Sequence, residues 1–174
     1  MKTTAALLSA ALVLSGTVVA CQASPAKVDV YFSHPENFTD VSAADFSKPG
    51  DRDVLLYQLQ VHLVKQVARL LPADQRLMVI ITDVDLAGMI DPFRRPQLDD
   101  TRIISPVFPS RINLEFILSD ATGRVLVKGR RNLHDSNTMN ESAARMDSEY
   151  TRYEKILLTN WLINEFRLTP VAKS

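Results

Sequence analysis

The sequence predicts an α+β fold, a two-layer sandwich with two helices across one face of a four-stranded, mostly antiparallel sheet, in the order β-α-β-β-β-α. Three observations carry that prediction. Apolar residues recur at three- and four-residue spacing in two segments, one starting near Asp51 and one starting near Asp147 or Ser148. Residues 111–133 alternate in hydropathy on both sides of a turn, as a hairpin does. Leu77–Val84, LMVIITDV, is too short and too β-branched for a helix and reads as a central strand buried on both faces. Neither helix can bury its stripe alone, and a sheet with one strongly apolar face is the simplest layer to receive both.

The chain opens MKTTAALLSAALVLSGTVVACQASPA. Lys2 gives a short positive start, and Ala5–Ala20 is uncharged and mostly apolar. That run is shorter than the roughly 20 apolar residues a spanning helix needs, and small residues follow it. Residues 1–20 therefore read as a signal peptide, with cleavage as late as residue 26. Two outcomes of export stand. Val18-Val19-Ala20-Cys21 resembles a lipobox, in which Cys21 would carry the lipid and become the new N-terminus. Cleavage after Ala23 or Ala26 would instead release a soluble periplasmic protein. Cys21 is the only cysteine and stands where a lipid would be attached, which favours an outer-membrane lipoprotein facing the periplasm.

Residues 21–27 form a tether, residues 28–168 a single domain and residues 169–174 a tail. Val28, Val30 and Phe32 share one face of the first strand. Asn37–Gly50 is polar and ends in the breaker Pro49-Gly50. Asp51 caps the first helix, whose stripe is Leu55, Leu56, Leu59, Leu63, Val67, Leu70 and Leu71, and Pro72 stops it. His62 lies on this helix and reads as a surface residue. After Leu77–Val84 comes a long loop, Gly88–Ser110, with four prolines and a short strand near Arg102–Ile104. The hairpin follows, its turn at Asp120-Ala121-Thr122-Gly123. A tight turn there pairs Leu118 with Val125, Phe116 with Val127 and Glu115 with Lys128, and sets Gly129 opposite Leu114. The last stripe is Tyr150, Tyr153, Leu157, Leu158, Trp161, Leu162 and Phe166.

These residues also carry a resemblance. Asp83-Val84-Asp85-Leu86-Ala87-Gly88, Pro109-Ser110-Arg111-Ile112, Asp120–Gly123, Leu133-His134-Asp135 and Arg152-Tyr153-Glu154-Lys155 follow one another in order, after Pro35–Asp40 near the start. The ordered set resembles an uncharacterised family of exported Gram-negative proteins, domain of unknown function 3016, over about Val28–Phe166. The resemblance implies export and an α+β fold, and it brings no catalytic residues.

Composition narrows the function classes. Twenty Lys and Arg balance twenty Asp and Glu, which argues against nucleic acid as a partner because phosphate neutralisation needs surplus cations. One cysteine excludes an internal disulfide and a multi-cysteine metal knuckle. Asp83 and Asp85, two apart on a strand, point to one face, and with Asp99 and Asp100 they could hold a hard cation such as Ca or Mg. The competing reading has one aspartate capping the turn at Gly88 and the other paired with Arg102 or Arg111. Arg94, Arg95 and Arg102 mark the proline-rich loop as a candidate interaction surface. Arg124, Lys128, Arg130 and Arg131 make a basic strand that reads as a solvated face partnered by Glu115 and others. His134-Asp135 has no nucleophile motif beside it and reads as a loop histidine next to a turn aspartate. The sequence thus expects no cofactor, no catalytic set and a non-catalytic binding or assembly module of the envelope, with an envelope protein as its partner. The alternative is a cation-binding protein or metal-assisted hydrolase built on the clustered aspartates.

Overall fold

The structure is a computed structural model that describes residues 26–41, 51–90, 102–134 and 150–166. Its elements are β1 (Lys27–Phe32), α1 (Asp51–Leu70), β2 (Gln75–Asp85), β3 (Met89–Ile90), β4 (Arg102–Ile103), β5 (Arg111–Asp120), β6 (Val125–His134) and α2 (Arg152–Phe166). A 3-10 turn, Pro35–Asn37, lies between β1 and α1. The main sheet runs β1-β2-β5-β6, and β3 pairs with β4 in a small separate ribbon. β1 and β2 are parallel, as a strand-helix-strand crossover requires, while β2–β5 and β5–β6 are antiparallel. The sheet is therefore mixed, and the predicted element order holds.

One core joins the layers. Leu55, Leu56, Leu59, Leu63 and Val67 of α1 and Leu157, Leu158, Trp161 and Leu162 of α2 meet Leu77, Val79, Ile81, Ile112, Leu114, Phe116 and Leu118. Phe116, Trp161 and Phe166 pack edge to face, with centroids 5.5, 5.8 and 6.1 Å apart. Phe38 and Val41 are buried in the same core, so the segment predicted to be polar plugs one end of the sandwich. Its backbone is held by Ser33 N–H donating to the Ile81 carbonyl and Asp40 N–H to the Val84 carbonyl.

Four local expectations change. β2 is buried on one face only: Leu77, Val79 and Ile81 face the helices, while Met78 and Ile80 are half-buried on a face that no helix covers among the described residues. The hairpin register is shifted by two residues, to Leu118–Val127, Phe116–Gly129 and Glu115–Arg130. The cause is a wider turn. The Asp120 carboxylate accepts from Thr122 N–H, Thr122 Oγ1 and Arg124 N–H at 2.9, 2.6 and 3.1 Å, and a bulge follows at Leu118/Ser119. A shift of two preserves the side-chain faces, so the apolar side is as predicted. Gly129 therefore lies beside Phe116 rather than Leu114, and a Cβ there would come within 2.8 Å of Arg131 Nη1 and 3.3 Å of the Phe116 ring. It makes room for the Arg131 guanidinium, which lies 5.3 Å from the centre of the Phe116 ring.

The last two changes concern the helices. Helical residues at the C-terminal end begin at Arg152, and Tyr150 is an exposed turn residue outside the buried stripe. His62 is no surface residue, because it lies between the helices. Thr159 Oγ1 gives its proton to the Lys155 carbonyl at 2.9 Å, so it accepts from His62 Nε2–H at 2.8 Å. Burial first, and then the charge of Lys155, Arg69 and Lys65, pushes the His62 pKa down to about 4.

Candidate functional site

The predicted aspartates sit at the C-terminal end of β2, and a bulge decides which way they point. Ile81 pairs with Leu114, but Asp83 pairs with Asn113, so one extra residue enters β2 between them. The alternation resets, and Val84 rather than Asp83 takes the core side. Asp83 and Asp85 share a face, as the sequence predicts.

Their neighbours are internal. Asp83 accepts from Thr39 N–H at 2.7 Å and Thr39 Oγ1 at 2.9 Å, one proton on each oxygen. It fastens the 33–41 segment to β2. Asp85 has Arg111 as its strand partner. Its pKa is raised, first by burial and next by the nearby Asp40 carboxylate, and Arg111 only partly offsets this. Among the described residues no group of three His, Cys, Asp or Glu side chains could hold a metal ion. Asp99 and Asp100 lie outside the described residues, as do Arg94, Arg95 and Cys21. Replacing Asp83 with Ala is expected to cost about 1–3 kcal/mol, the usual loss when hydrogen bonds to a carboxylate are removed, read from the midpoint of urea unfolding.

Arg102 is placed differently from an exposed interaction residue. Its side chain is only 6% exposed, and Nη2 meets Asp40 Oδ2 at 2.5 Å. Nη1 donates to the carbonyls of Leu86, Ala87 and Gly88 at 3.3, 3.4 and 2.9 Å, and Nε donates to Tyr150 Oη at 3.0 Å. Burial opposes the charge, but the Tyr150 and Asp40 oxygens outweigh it and the pKa is raised. One guanidinium thus collects the β2 exit loop, the 33–41 segment and the approach to α2. The loop fits against β4 because residue 88 is glycine: its φ is +85°, and a Cβ would stand 2.3 Å from the Ile103 carbonyl oxygen.

Glu154 completes the cluster. It is 1% exposed, and Oε1 accepts from Ala87 N–H at 2.9 Å. Oε2 is buried with no hydrogen-bond partner among the described residues. Burial pushes the carboxyl up to about 7 against the pull of Ala87 N–H, Arg102 and Arg152. Sequence reasoning passed over Glu154, although a signal existed: a charged residue one helical turn before Leu158 interrupts an apolar stripe.

The basic strand is largely neutralised. Arg130 pairs with Glu115 at 2.7 Å, in place of the predicted Lys128. Arg131 binds Glu165 through Nε and Nη2 at 2.7 and 2.6 Å, and Arg124 pairs with Asp120 at 3.0 Å. Beside the Arg131–Glu165 pair, β6 and α2 border a groove of about 510 Å³.

Fold and site define a class: a two-layer α+β domain in which Asp83, Arg102 and Glu154 tie loops to the end of β2. The chain belongs to the family described as a protein of unknown function (DUF3016), whose model matches residues 26–164. Among curated proteins none matches the chain. Among solved structures it is similar to a minor lipoprotein from Acinetobacter baumannii, at 12% identity over 86% of this chain and 98% of that chain. The TM-score of 0.23 is too low to mark a shared fold. Among the described residues no helix is long and apolar enough to cross a membrane.

Proposed function

We propose that this is an exported envelope protein acting as a non-catalytic binding or assembly module, with the sheet face away from the helices as its working surface. That face, uncovered among the described residues, is the observation that supports the reading. Tyr31 is 53% and Ile117 36% exposed, next to half-buried Met78 and Ile80. Ile117, Met78 and Ile80, with Lys128 and the Glu115–Arg130 pair, border a hollow of about 320 Å³. An apolar row rimmed by charge is the usual make-up of a protein-binding patch. The leader supports export, after which Cys21 would anchor the protein to the outer membrane, or cleavage after Ala23 or Ala26 would free it into the periplasm. The neutral overall charge supports an envelope protein as partner over a nucleic acid.

The test is site-specific photo-crosslinking in the native envelope. A crosslinker at Ile117 is expected to give one defined adduct. A crosslinker at Tyr57, 64% exposed on α1, is expected to give none. Equal labelling at both sites, or none at Ile117, overturns the reading. The mass of the mature N-terminus decides between lipidation and release.

The cation alternative draws on one observation, the Asp85 carboxyl crowded by Asp40 and Asp83. Calcium or magnesium held by Asp83, Asp85, Asp99 and Asp100 would raise the melting temperature through ligand linkage. No rise with either ion is the expected result.

A further inference from the structure

We propose that the end of the domain where β1 begins docks on an anionic phospholipid surface, a placement that rests on Cys21 carrying the lipid and that leaves the sheet face free for a partner. The topology gathers several elements at that end. Lys27 opens β1 beside Arg76 of β2, and Ser119 and Val125 continue the same row across β5 and β6. α1 connects the parallel strands β1 and β2, so its last turn, with Arg69, returns to this end. The chain from Cys21 enters here as well. Cys21 and Lys27 are six residues apart, a reach of about 20 Å at full extension. β2, with 11 residues, is about 36 Å long, so the anchor keeps this end near the bilayer while the opposite end can point away from it.

Charge and apolar surface favour this end over a flat contact. Lys27 and Arg69 are exposed and form no ion pair with any described residue, since Arg69 donates only to Gln66. Arg76 and Arg124 are held by Asp29 and Asp120, which leaves Asp74 as the carboxylate here outside an ion pair. At the opposite end the balance is reversed, because exposed Glu36, Asp51 and Asp53 surround Arg52. The chain is neutral as a whole, but its charge is unevenly placed, and anionic headgroups attract one end and repel the other. The hairpin tip adds a second, independent observation. Val125 and Leu126 are 50% and 43% exposed, although neighbouring strand residues normally point to opposite faces. The bulge explains it: Leu118 pairs with Val127 and Ser119 with Val125, so Leu126 has no partner on β5. Two exposed apolar side chains beside a ring of cations match the boundary between headgroups and acyl chains.

Cys21 is the only cysteine, and a lipid on its sulfur leaves an introduced cysteine as the only thiol. A fluorophore is therefore placed at one of three exposed positions: Ala121→Cys in the hairpin turn, Asn37→Cys at the opposite end, or Ile117→Cys on the sheet face. The mature protein is reconstituted in vesicles of phosphatidylcholine and phosphatidylglycerol that contain a headgroup spin label. Quenching is expected at residue 121 and not at residues 37 and 117. Lys27→Gln and Arg69→Gln are each expected to lower the ratio of docked to undocked protein about fivefold, the effect of one cation at an anionic surface. Quenching at all three positions, at none, or at 37 or 117 in place of 121 overturns the proposal. So does quenching at 121 that both glutamine variants leave unchanged. A mature N-terminus cut after Ala23 or Ala26, read from its mass, overturns the anchor and the proposal with it. A lipidated chain that fails the quenching test overturns the docking alone.

Discussion

Arg102→Leu is expected to cost about 3–5 kcal/mol of folding stability, the range for removing one partner of a buried ion pair. The loss exceeds that of a surface bridge because the guanidinium does several things at once. It neutralises Asp40, satisfies the Gly88 carbonyl at 2.9 Å, and holds the Tyr150 hydroxyl at 3.0 Å. Leucine replaces the volume and none of the donors, so acceptors that face inward lose their partner. Arg102→Lys keeps the charge but not the fork, and it is expected to recover less than half of the loss. Urea unfolding followed by circular dichroism gives the values. A loss below about 1 kcal/mol, the level of an exposed pair, would show that the hub is not structural.

The hub also marks where the sequence stopped being readable. Both helices, the hairpin and the element order follow from periodicity, because burying a stripe or a face leaves its period in the chain. Asp83 and Asp85 were found as a pair on one face for the same reason. Their orientation was not legible, since the bulge after Ile81 leaves no mark in hydropathy and flips the phase of everything beyond it. The hairpin register slipped because the Asp120 carboxylate organises a wider turn than Thr122-Gly123 alone suggests. Arg102 was legible only as a loop cation. Its partners come from segments far away in the chain, and no local pattern encodes that meeting. His62 was misread because one histidine on a helix flank carries no sign of the Thr159 opposite it.

The second large effect is a pair of buried titrations that oppose each other. Glu154 is raised to about 7 in the fold from an ordinary value of 4.5. Its protonated form is favoured by folding, so its contribution is full below pH 4.5 and is lost as pH rises through 7. His62 is lowered to about 4 from 6.5, so its neutral form is favoured by folding. Its contribution is present above pH 6.5 and is lost as pH falls through 4. Between pH 4.5 and 6.5 the two slopes have opposite signs, and together they leave stability almost level. Single variants should expose what the pair conceals. In Glu154→Gln, which keeps the acceptor for Ala87 N–H, the His62 slope remains. Stability should then climb by about 2–3 kcal/mol from pH 4 to 6.5, at up to about 1.4 kcal/mol per pH unit. In His62→Gln, which can still donate to Thr159, the Glu154 slope remains and stability should fall by a similar amount from pH 4.5 to 7. The double variant should lose both of these slopes and keep only what other shifted groups such as Asp85 contribute. The measurement is urea unfolding of all four proteins at half-unit pH steps. Parallel profiles for the two single variants would mean that neither group titrates as its burial demands. Slopes of opposite sign would place the protonated acid under the Ala87 loop and the neutral imidazole between the helices as two independent consequences of one closed core.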